Sequence, residues 1–186
     1  TAVGYGGAVS LATYSPTIFT RCRFAFNQVN DTTVESKLIA QGCAICIDSE
    51  TPLCQVSQCE FYNQSTREGN AIYASRKVNA LHIIDNSVFE NCGYGDGTVI
   101  VTQALEFHFR KSRIEFGERL INRKCRGITI GAISTTFISE AIFKYCNAPG
   151  AEANSKGGGL LLDRIQNSEG DQEEFEIDNA EFTGCT

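Results

Sequence analysis

Cysteine is the most reactive residue type in this sequence, and it is unusually frequent. The 186 residues include nine cysteines but no Met and no Trp. The stretch "CAIC" places Cys43 and Cys46 at the spacing of a metal-binding pair, but no second C-x-x-C follows it and both histidines are far away in sequence. We therefore expect no metal site and no cofactor. Disulfides are the better interpretation, and they persist in oxidising, extracellular compartments.

The acids and bases of the chain would support polysaccharide cleavage only if the fold brought them together. Hydrolysis of a glycosidic bond uses two carboxylates about 5 to 9.5 Å apart, and a lyase needs a positioned base. Asp48 and Asp163 each follow an alternating apolar segment, whereas His82 and His108 lie near the middle of the chain. The acidic run "EGDQEEFEID" lacks the spacing of a calcium loop, so we interpret it as solvated surface.

Two sequons mark possible sites of N-glycosylation. They are "NDT" at Asn30 and "NQS" at Asn63. This motif accepts a glycan where it lies on the surface of a secreted protein. Glycosylation at Asn30 and Asn63 is therefore predicted for a eukaryotic source.

The charge and hydropathy of the chain exclude two classes of partner. The formal net charge is −6 and the isoelectric point is about 5.0, which disfavours binding to nucleic acid or to an anionic membrane surface. No apolar run approaches the roughly 18 residues that span a bilayer, so no membrane insertion is expected. The sequence shows no signal-peptide pattern, and we interpret Thr1 as a processed terminus or as a cut through a longer polypeptide.

The elements that position these side chains are revealed by an internal repeat. A small residue followed by two alternating aliphatic residues recurs six times. Side chains two positions apart lie on the same face of a β-strand, so each occurrence predicts a short strand. The apolar pairs are Val9 and Leu11, Ile45 and Ile47, Ile72 and Ala74, Val99 and Val101, Ile128 and Ile130, and Leu160 and Leu162.

A second pattern alternates with the first, and it consists of a small residue, any residue and a large apolar residue. The large residues are Phe24, Phe61, Phe89, Ile114, Phe143 and Phe182. A third apolar position lies three residues before the small one, at Phe19, Val56, Ile84, Phe109, Ile138 and Ile177. Each repeat thus contains three short strands separated by turns rich in Gly, Asn, Asp and Ser.

Three strands per repeat without tight hairpin turns predict a chain that winds in one direction. The predicted fold is all-β, a right-handed parallel β-helix or β-solenoid of about six coils, forming a single domain over residues 1–186. Inward residues of successive coils would then stack about 4.8 Å apart. The alternative, a β-sandwich, also uses short alternating strands but gives no reason for fixed offsets between the same apolar residues.

This register groups the cysteines by coil. Cys22 and Cys59 occupy equivalent inward positions, about one rung apart, and are predicted either to form a disulfide or to be small buried thiols. Coil-to-coil disulfides are also predicted at the corner after the third strand, which contains Cys146 and Cys185 and lies near Cys92 and Cys125. Three cysteines remain, and two of them could pair with each other. They are Cys43, Cys46 and Cys54.

The same register separates the candidate catalytic groups. Asp48 and Asp163 fall in coils two and six, roughly 19 Å apart by rung spacing, which is too far to cooperate. Arg23 and Glu60 are neighbours on the third face and are best interpreted as a cross-strand ion pair. His82 and His108 lie near the second face without an evident partner. We therefore assign no catalytic residue.

One further pattern carries a family resemblance. "GGAV" near the start and "FAFN" at positions 24–27 resemble the GGA[I/V] and FxxN repeats of polymorphic outer-membrane autotransporter adhesins. The coil pattern is also similar to the pectate-lyase-like group of right-handed β-helices. In "FENC", "FKYC" and "FTGC" the asparagine position is taken by Cys92, Cys146 and Cys185. The resemblance implies a β-helix displayed outside the cell.

We therefore expect an extracellular or cell-surface protein with a structural or adhesive role, as a component of a filament, an appendage or a large cell-surface protein. Open strand edges at the two ends of a solenoid favour end-to-end self-association or continuation in a longer chain, and glycans are a further candidate partner. The alternative is a carbohydrate-active β-helix enzyme, either a polysaccharide lyase or a glycoside hydrolase. Because no catalytic pair is recognisable, the non-enzymatic role is favoured.

Overall fold

The described part of the chain is built from strands alone. The computed structural model describes residues 7–11, 14–28, 44–47, 51–64, 71–74, 78–93, 98–117, 125–131, 135–148, 157–163 and 174–186. Its 18 strands form three parallel sheets of six strands each, and within these residues there is no helix.

Each coil contains three strands, one for each sheet. Coils one to three contain β1 (Val9–Leu11), β2 (Thr17–Thr20), β3 (Arg23–Ala25), β4 (Ile45–Ile47), β5 (Leu53–Ser57), β6 (Glu60–Tyr62), β7 (Ile72–Ala74), β8 (Val78–Asp85) and β9 (Val88–Glu90). Coils four to six contain β10 (Thr98–Thr102), β11 (Ala104–Arg110), β12 (Arg113–Glu115), β13 (Arg126–Gly131), β14 (Thr135–Ser139), β15 (Ile142–Lys144), β16 (Leu160–Asp163), β17 (Glu174–Asp178) and β18 (Glu181–Thr183).

Strands pair only with their equivalents in neighbouring coils. The first sheet has the order β1-β4-β7-β10-β13-β16, the second β2-β5-β8-β11-β14-β17 and the third β3-β6-β9-β12-β15-β18. Every pair is parallel. The prediction of a parallel β-helix with about six coils is confirmed.

The large apolar residues of the third sheet form one continuous column. Phe24, Phe61 and Phe89 follow one another in register, and their rings stack with centroid distances of 4.8 and 4.6 Å. At the other end the rings of Phe143 and Phe182 stack at 4.8 Å. Stacking at the rung spacing removes both faces of each inner ring from water, which is the main source of stability in this interior.

Small residues before the first sheet make room for this column. Ala44 and Ala71 are fully buried beside it. A Cβ atom added at Gly159 would lie 2.7 Å from the ring of Phe182, and one at Gly127 would lie 2.4 Å from the carbonyl oxygen of Gly159. The recurring small residue of the sequence is therefore a steric requirement of the neighbouring aromatic column.

The first sheet follows the predicted register in every coil but the fourth. There Ile100, rather than Val99 or Val101, pairs with Ile72 and Ile128, so the inward residues of β10 are Ile100 and Thr102. The prediction for this strand was wrong by one position. All side chains in the run "TVIV" are apolar or β-branched, so period two cannot distinguish the two faces.

Residues in the left-handed conformation turn the corner between the second and third sheets in all six coils, and the corner after the third sheet in five of them. The corner between the second and third sheets uses Arg21, Gln58, Asn86, Lys111, Glu140 and Asn179, with φ between 47 and 55°. The corner after the third sheet uses Phe26, Asn63, Asn91, Tyr145 and Gly184 in the same region. Their amides continue the ladder across the bend, as in the 3.0 Å bond from Lys111 N–H to the carbonyl oxygen of Ser139.

Candidate functional site

The outward face of the second sheet contains the closest acid and base pair of the described chain. Nε2 of His108 lies 2.6 Å from Oε1 of Glu106, two residues earlier on β11. The ring of Phe137 on the neighbouring strand contacts the imidazole edge-on, with centroids 4.9 Å apart. The sequence analysis found no partner for His108. The available signal was the period of two, which places Glu106 and His108 on the same face of a strand.

A second charged pair lies next to it on the same face. Nε of Arg110 donates to Oδ1 of Asp85 at 3.1 Å. Arg110 follows His108 by two residues, and Asp85 is its register partner on β8. The face therefore presents a carboxylate, an imidazole and a guanidinium in a row, although each is already engaged by a neighbour.

His82 lies on the opposite side of the same sheet. Its register partner is Phe107, and it is buried. Nδ1 lies 3.0 Å from Oγ1 of Thr102, while Nε2 has no hydrogen-bond partner. Burial lowers the pKa of His82 from 6.5 to about 4, so the ring is neutral at physiological pH. His82 cannot reach a substrate on the outer surface.

The outward column of the first sheet contains neither an acid nor a base. Its members in register are Ser10, Cys46, Tyr73, Val101, Thr129 and Leu161. Asp48 lies outside the described residues, and of Asp163 only the strand position opposite Gly131 is described.

The predicted ion pair on the third sheet is present. Arg23 and Glu60 are register partners, and Nε lies 3.9 Å from Oε2. The guanidinium also lies over the ring of Tyr62, 5.2 Å from its centroid. Both charged groups are well exposed, so the contribution of this pair to stability is small.

No metal centre is formed by the described residues. Within the part of the chain that the structure covers, no group of three or more His, Cys, Asp or Glu side chains is placed to hold an ion. The described end of the acidic run forms β17, whose side chains are all exposed.

The structure describes eight of the cysteines: Cys22, Cys46, Cys54, Cys59, Cys92, Cys125, Cys146 and Cys185. No disulfide is formed among these eight, so the predicted staples are not present in this structure. The sulfurs of six of them instead lie close to backbone carbonyl oxygens. Cys43 and Asn30 lie outside the described residues.

The hydrogen bonds nevertheless show that cysteines occupy equivalent positions in different coils, as predicted. The backbone N–H of Cys22 donates to Sγ of Cys59 at 3.4 Å. The thiol of Cys92 donates to the carbonyl oxygen of Phe61 at 3.2 Å, and that of Cys185 donates to the equivalent carbonyl of Phe143 at 3.4 Å. In coil two the same position is filled by Gln64, whose amide donates to the carbonyl oxygen of Phe24 at 2.9 Å.

The acidities of these thiols differ because their surroundings differ. Burial raises the pKa of Cys54 to about 12 and also raises the pKa of Cys59. A hydrogen bond between the side chains of Cys146 and Cys185 raises the pKa of Cys146 and lowers that of Cys185 to about 7. Of these four thiols, Cys185 therefore has the greatest tendency to ionise near neutral pH.

Both ends of the solenoid expose apolar residues that would be interior in a longer stack. On the last coil the exposed residues are Leu162, Phe175, Ile177 and Phe182. On the first coil Phe24 borders an open groove of about 570 Å³, which is also lined by Ala8, Arg23, Ala25, Phe26 and Asn27. Exposed side chains of this size at an unpaired sheet edge are typical of an interaction surface.

Comparison with known proteins gave no relative: no family model, no curated protein and no solved structure matches the chain. The residues that the structure describes include no helix of sufficient length and apolarity to cross a membrane.

Proposed function

We propose that this chain is a structural, adhesive β-solenoid of the extracellular space or the cell surface, and that copies of it stack head to tail into a filament. The single observation that carries this proposal is the match between the two open edges. β16, β17 and β18 end the three sheets at one end, and β1, β2 and β3 end the same sheets at the other. A second copy in the same register would continue all three sheets.

The apolar side chains at the two edges complement one another. Phe182 is covered on one face by Phe143 and is 44% exposed. Phe24 stacks on Phe61 and borders the open groove with its other side. Adding one rung of about 4.8 Å would place the Phe182 ring of one copy on the Phe24 ring of the next. The aromatic column would then run through the junction without interruption.

The charges at the two edges are also complementary. The C-terminal edge carries Glu174, Glu176, Asp178 and Glu181 on exposed positions, whereas the N-terminal edge carries Arg21 and Arg23. In the continued register Glu181 lies opposite Arg23 of the next copy. This repeats the contact between Arg23 and Glu60 inside the chain. Unlike charges therefore favour the head-to-tail arrangement, and like charges oppose contacts between two equal ends.

The test is a charge exchange across the junction. In R23E and in E181R each junction would pair two like charges. We expect the self-association constant of each variant to fall by about ten-fold or more. The double variant R23E/E181R restores an opposite pair and is expected to recover association. The measurement is sedimentation velocity over a concentration series, with electron microscopy of the wild-type chain for end-to-end particles.

A matched control separates the effect of a charge change at the junction from the effect of the same charge change elsewhere on the molecule. R113E changes an arginine at the equivalent position of β12 in the middle of the third sheet, where no junction forms. It should associate like the wild type. A wild-type chain that stays monomeric at high concentration, or a double variant no better than the single ones, contradicts the proposal.

The extracellular location is supported by the position of one sequon. Asn63 is exposed on a left-handed corner, where its side chain points away from the packed interior. A glycan at this position would not enter the core. Secretion of the chain from a eukaryotic cell, followed by mass measurement of wild type and N63Q, tests the modification. An unmodified secreted wild-type chain would argue against this part.

A second candidate function, a carbohydrate-active enzyme, is favoured by one observation. The hydrogen-bonded His108 and Glu106 lie on an outward face next to Arg110, and a base near a cation is suited to proton abstraction beside a carboxylate. Incubation with acidic and neutral polysaccharides, read as reducing ends or unsaturated products, tests it. Product formed by wild type and by S139A but lost in H108Q and E106Q would support an enzyme.

A further inference from the structure

The corner after the third sheet brings two cysteines of neighbouring coils opposite one another. Phe143 pairs with Phe182 and Lys144 with Thr183, and the ladder continues beyond these strands. The N–H of Tyr145 donates to the carbonyl oxygen of Thr183 at 2.9 Å, and the N–H of Thr186 donates to that of Cys146 at 3.2 Å. Cys146 and Cys185 are therefore held one rung apart, within the range of Cα distances that a disulfide bridges.

The two sulfurs are unequal in access. Cys146 is completely buried between coils four and six, whereas Cys185 is only half-buried in the last coil. Among the described residues no coil covers the other side of Cys185. A soluble reagent can therefore reach Cys185 but not Cys146.

The contact between the side chains favours ionisation of the accessible one. The neighbouring Cys146 side chain lowers the pKa of Cys185 to about 7, although partial burial opposes it. A thiolate is the attacking form in thiol–disulfide exchange, and a thiol with a pKa near ambient pH attacks most effectively. Access and ionisation thus coincide at the same sulfur.

The other cysteines of these columns lack this combination. Cys92 and Cys125 are also neighbours, since the Cys125 thiol lies 3.6 Å from the carbonyl oxygen of Cys92, but both are buried to the same extent, so neither is accessible to a soluble reagent. Cys59 is adjacent to Cys22, but burial raises its pKa. The pair in the last two coils is therefore the described pair best arranged for exchange.

We propose that Cys185 is a modification site for low-molecular-weight disulfides such as glutathione disulfide, and that Cys146 is its resolving partner. In the first step the Cys185 thiolate attacks one sulfur of glutathione disulfide. The disulfide bond of the reagent breaks, one glutathione leaves as a thiolate, and a mixed disulfide forms on Cys185. This inference does not depend on the proposed filament.

In the second step the sulfur of Cys146 attacks Sγ of Cys185, and its proton passes to the departing glutathione thiolate. The mixed disulfide breaks, and the second glutathione leaves. Two protein thiols are oxidised to one disulfide while one glutathione disulfide is reduced to two glutathione molecules, so atoms and electrons balance. The product links coil five to coil six and closes the solenoid at its exposed end.

The experiment is a timed reaction with glutathione disulfide, followed by acid quenching and peptide mass mapping. In the wild type the first disulfide detected should join Cys146 to Cys185. In C146S the reaction should stop after the first step, so that glutathione accumulates on Cys185. In C185S no modification should occur at this corner. Once the wild-type link has formed, hydrogen exchange in β18 should slow by about ten-fold.

Matched variants test whether the reaction is specific to Cys146 and Cys185. C22S and C59S alter another adjacent pair, and both should form the link between Cys146 and Cys185 at the wild-type rate. Circular dichroism establishes that each serine variant is folded before it is treated. Glutathione on Cys146 in C185S, or an unmodified Cys185 in folded C146S, would overturn the proposal. So would a wild-type chain in which Cys22 and Cys59 react first.

Discussion

A buried histidine is costly unless it stays neutral, and His82 shows how the interior enforces this. Its position in the column is occupied by Cys54 in the coil before and by Phe107 in the coil after. Neither neighbour stabilises an imidazolium. The hydroxyl of Thr102 contacts Nδ1, and Nε2 is left without a partner. An unpaired buried polar atom lowers stability, and a positive charge there would lower it further.

This environment predicts a loss of stability at mildly acidic pH. The pKa of His82 is about 4 in the folded chain and near 6.5 when unfolded, so the unfolded state binds more protons between these values. The stabilisation is complete above pH 6.5 and is lost as the pH falls to 4, by up to about 3 kcal/mol. Urea unfolding at pH 7.5, 5.5 and 4 should show this loss in wild type but not in H82Q. H108Q, which removes the outward histidine, should retain it.

A ladder of small polar side chains stabilises the corner between the second and third sheets. Oγ of Ser87 accepts the N–H of Cys59 at 3.1 Å and donates to the carbonyl oxygen of Asp85 at 2.9 Å. Oγ of Ser112 repeats this arrangement one coil later, by accepting the N–H of Ser87 at 3.0 Å. The small residue recognised in the sequence is therefore a hydrogen-bonding group in the early coils, as well as a space filler.

The ladder predicts a specific cost for removing one hydroxyl. S87A leaves the buried N–H of Cys59 without an acceptor and should lower the free energy of unfolding by about 1 to 2 kcal/mol. S87C keeps a weaker acceptor of the kind present at Cys59, so it should lose less. Denaturant titration of both variants checks this order, and S139A on the outward face is the control. Equal stability of S87A and wild type would contradict the role.

At the scale of the strand and its corner, the left-handed residues are the recurring backbone device. Six residues between the second and third sheets adopt positive φ, and none of them is glycine. An L-residue other than Asn or Asp is strained in this region, yet the ladder of amide bonds through the corner maintains it. The conformation is thus imposed by the fold more than by local preference.

Lys111 offers the cleanest test of this strain. Its side chain is exposed, and its contact with Glu140 is a loose one of 3.9 Å. K111G should raise the free energy of unfolding by about 0.5 to 1 kcal/mol, because glycine adopts this conformation without strain. K111V should lower it by about 1 kcal/mol or more, since a β-branched side chain is disfavoured there. Thermal unfolding of the two variants and of K144G, in a neighbouring strand, measures the difference.

In coil four the larger and the smaller of two core residues change places, so the sum of their side-chain volumes is unchanged. In coils three and five the second sheet supplies an isoleucine and the third a phenylalanine, but coil four has Phe109 and Ile114. The ring of Phe109 bridges the gap in the aromatic column, with centroids 6.3 Å from Phe89 and 5.6 Å from Phe143. In coils three to five a constant core volume is therefore shared between the second and third sheets.

This exchange predicts coupling between two substitutions. I114F alone adds volume to a filled layer and should cost about 1 to 3 kcal/mol, whereas F109I alone leaves a cavity and should cost about 1 to 4 kcal/mol. The double variant F109I/I114F recreates the arrangement of coils three and five, so its cost should be less than the sum by at least about 1 kcal/mol. A denaturant double-mutant cycle measures this, and additive costs would refute the compensation.

The sequence predicted those features that repeat at fixed offsets. The positions from Phe24 to Phe182 and from Phe19 to Ile177 were correct because period two and the constant spacing of five residues determine them together. The fourth strand of the first sheet was placed one position off because "TVIV" has no polar residue to define its outer face. The irregularity in the pairing of β8 with β11, between Ala104 and Glu106, was also invisible.

The candidate site was only partly predicted from the sequence. His82 and His108 are one position apart in the final register, so one points inward and the other outward. The contact of His82 with Thr102 joins two sheets across a corner, and corner lengths vary from coil to coil. The pair of Glu106 and His108, in contrast, lies within one strand, and strand periodicity alone contains the information needed to find it.

At the scale of the whole molecule, a solenoid behaves as a stack in which each coil contacts only its neighbours. Inner coils are covered on both sides, so Phe61, Phe89 and Phe143 are fully buried. The end coils are covered on one side, and Phe182 remains 44% exposed. In such a stack local stability falls toward the ends, and anything that adds a coil or links the last two strengthens the end first. Docking of a second copy and oxidation of Cys146 with Cys185 would both act there.

The register identifies which backbone amides a second copy would protect. Within the chain the corner amides of each coil donate to the next coil, as Glu140 N–H does to the carbonyl oxygen of Asp178 at 3.0 Å and Tyr145 N–H to that of Thr183 at 2.9 Å. The equivalent donors of the last coil are the amides of Asn179 and Gly184, which have no acceptor among the described residues. Across a junction they would donate to the carbonyls of Thr20 and Ala25 of the next copy.

Hydrogen exchange at low and high protein concentration therefore tests the junction at single positions. Assembly should slow exchange at Asn179, Gly184 and the N-terminal edge residue Arg23 by about ten-fold or more, because these amides pass from open edges into a continuous ladder. Amides of β9 and β12, already inside the stack, should exchange at the same rate in both samples. R23E at high concentration should resemble the dilute wild type. Protection confined to the outward face of the second sheet would instead show that copies meet side by side, because that face contributes no donor to an end-to-end ladder.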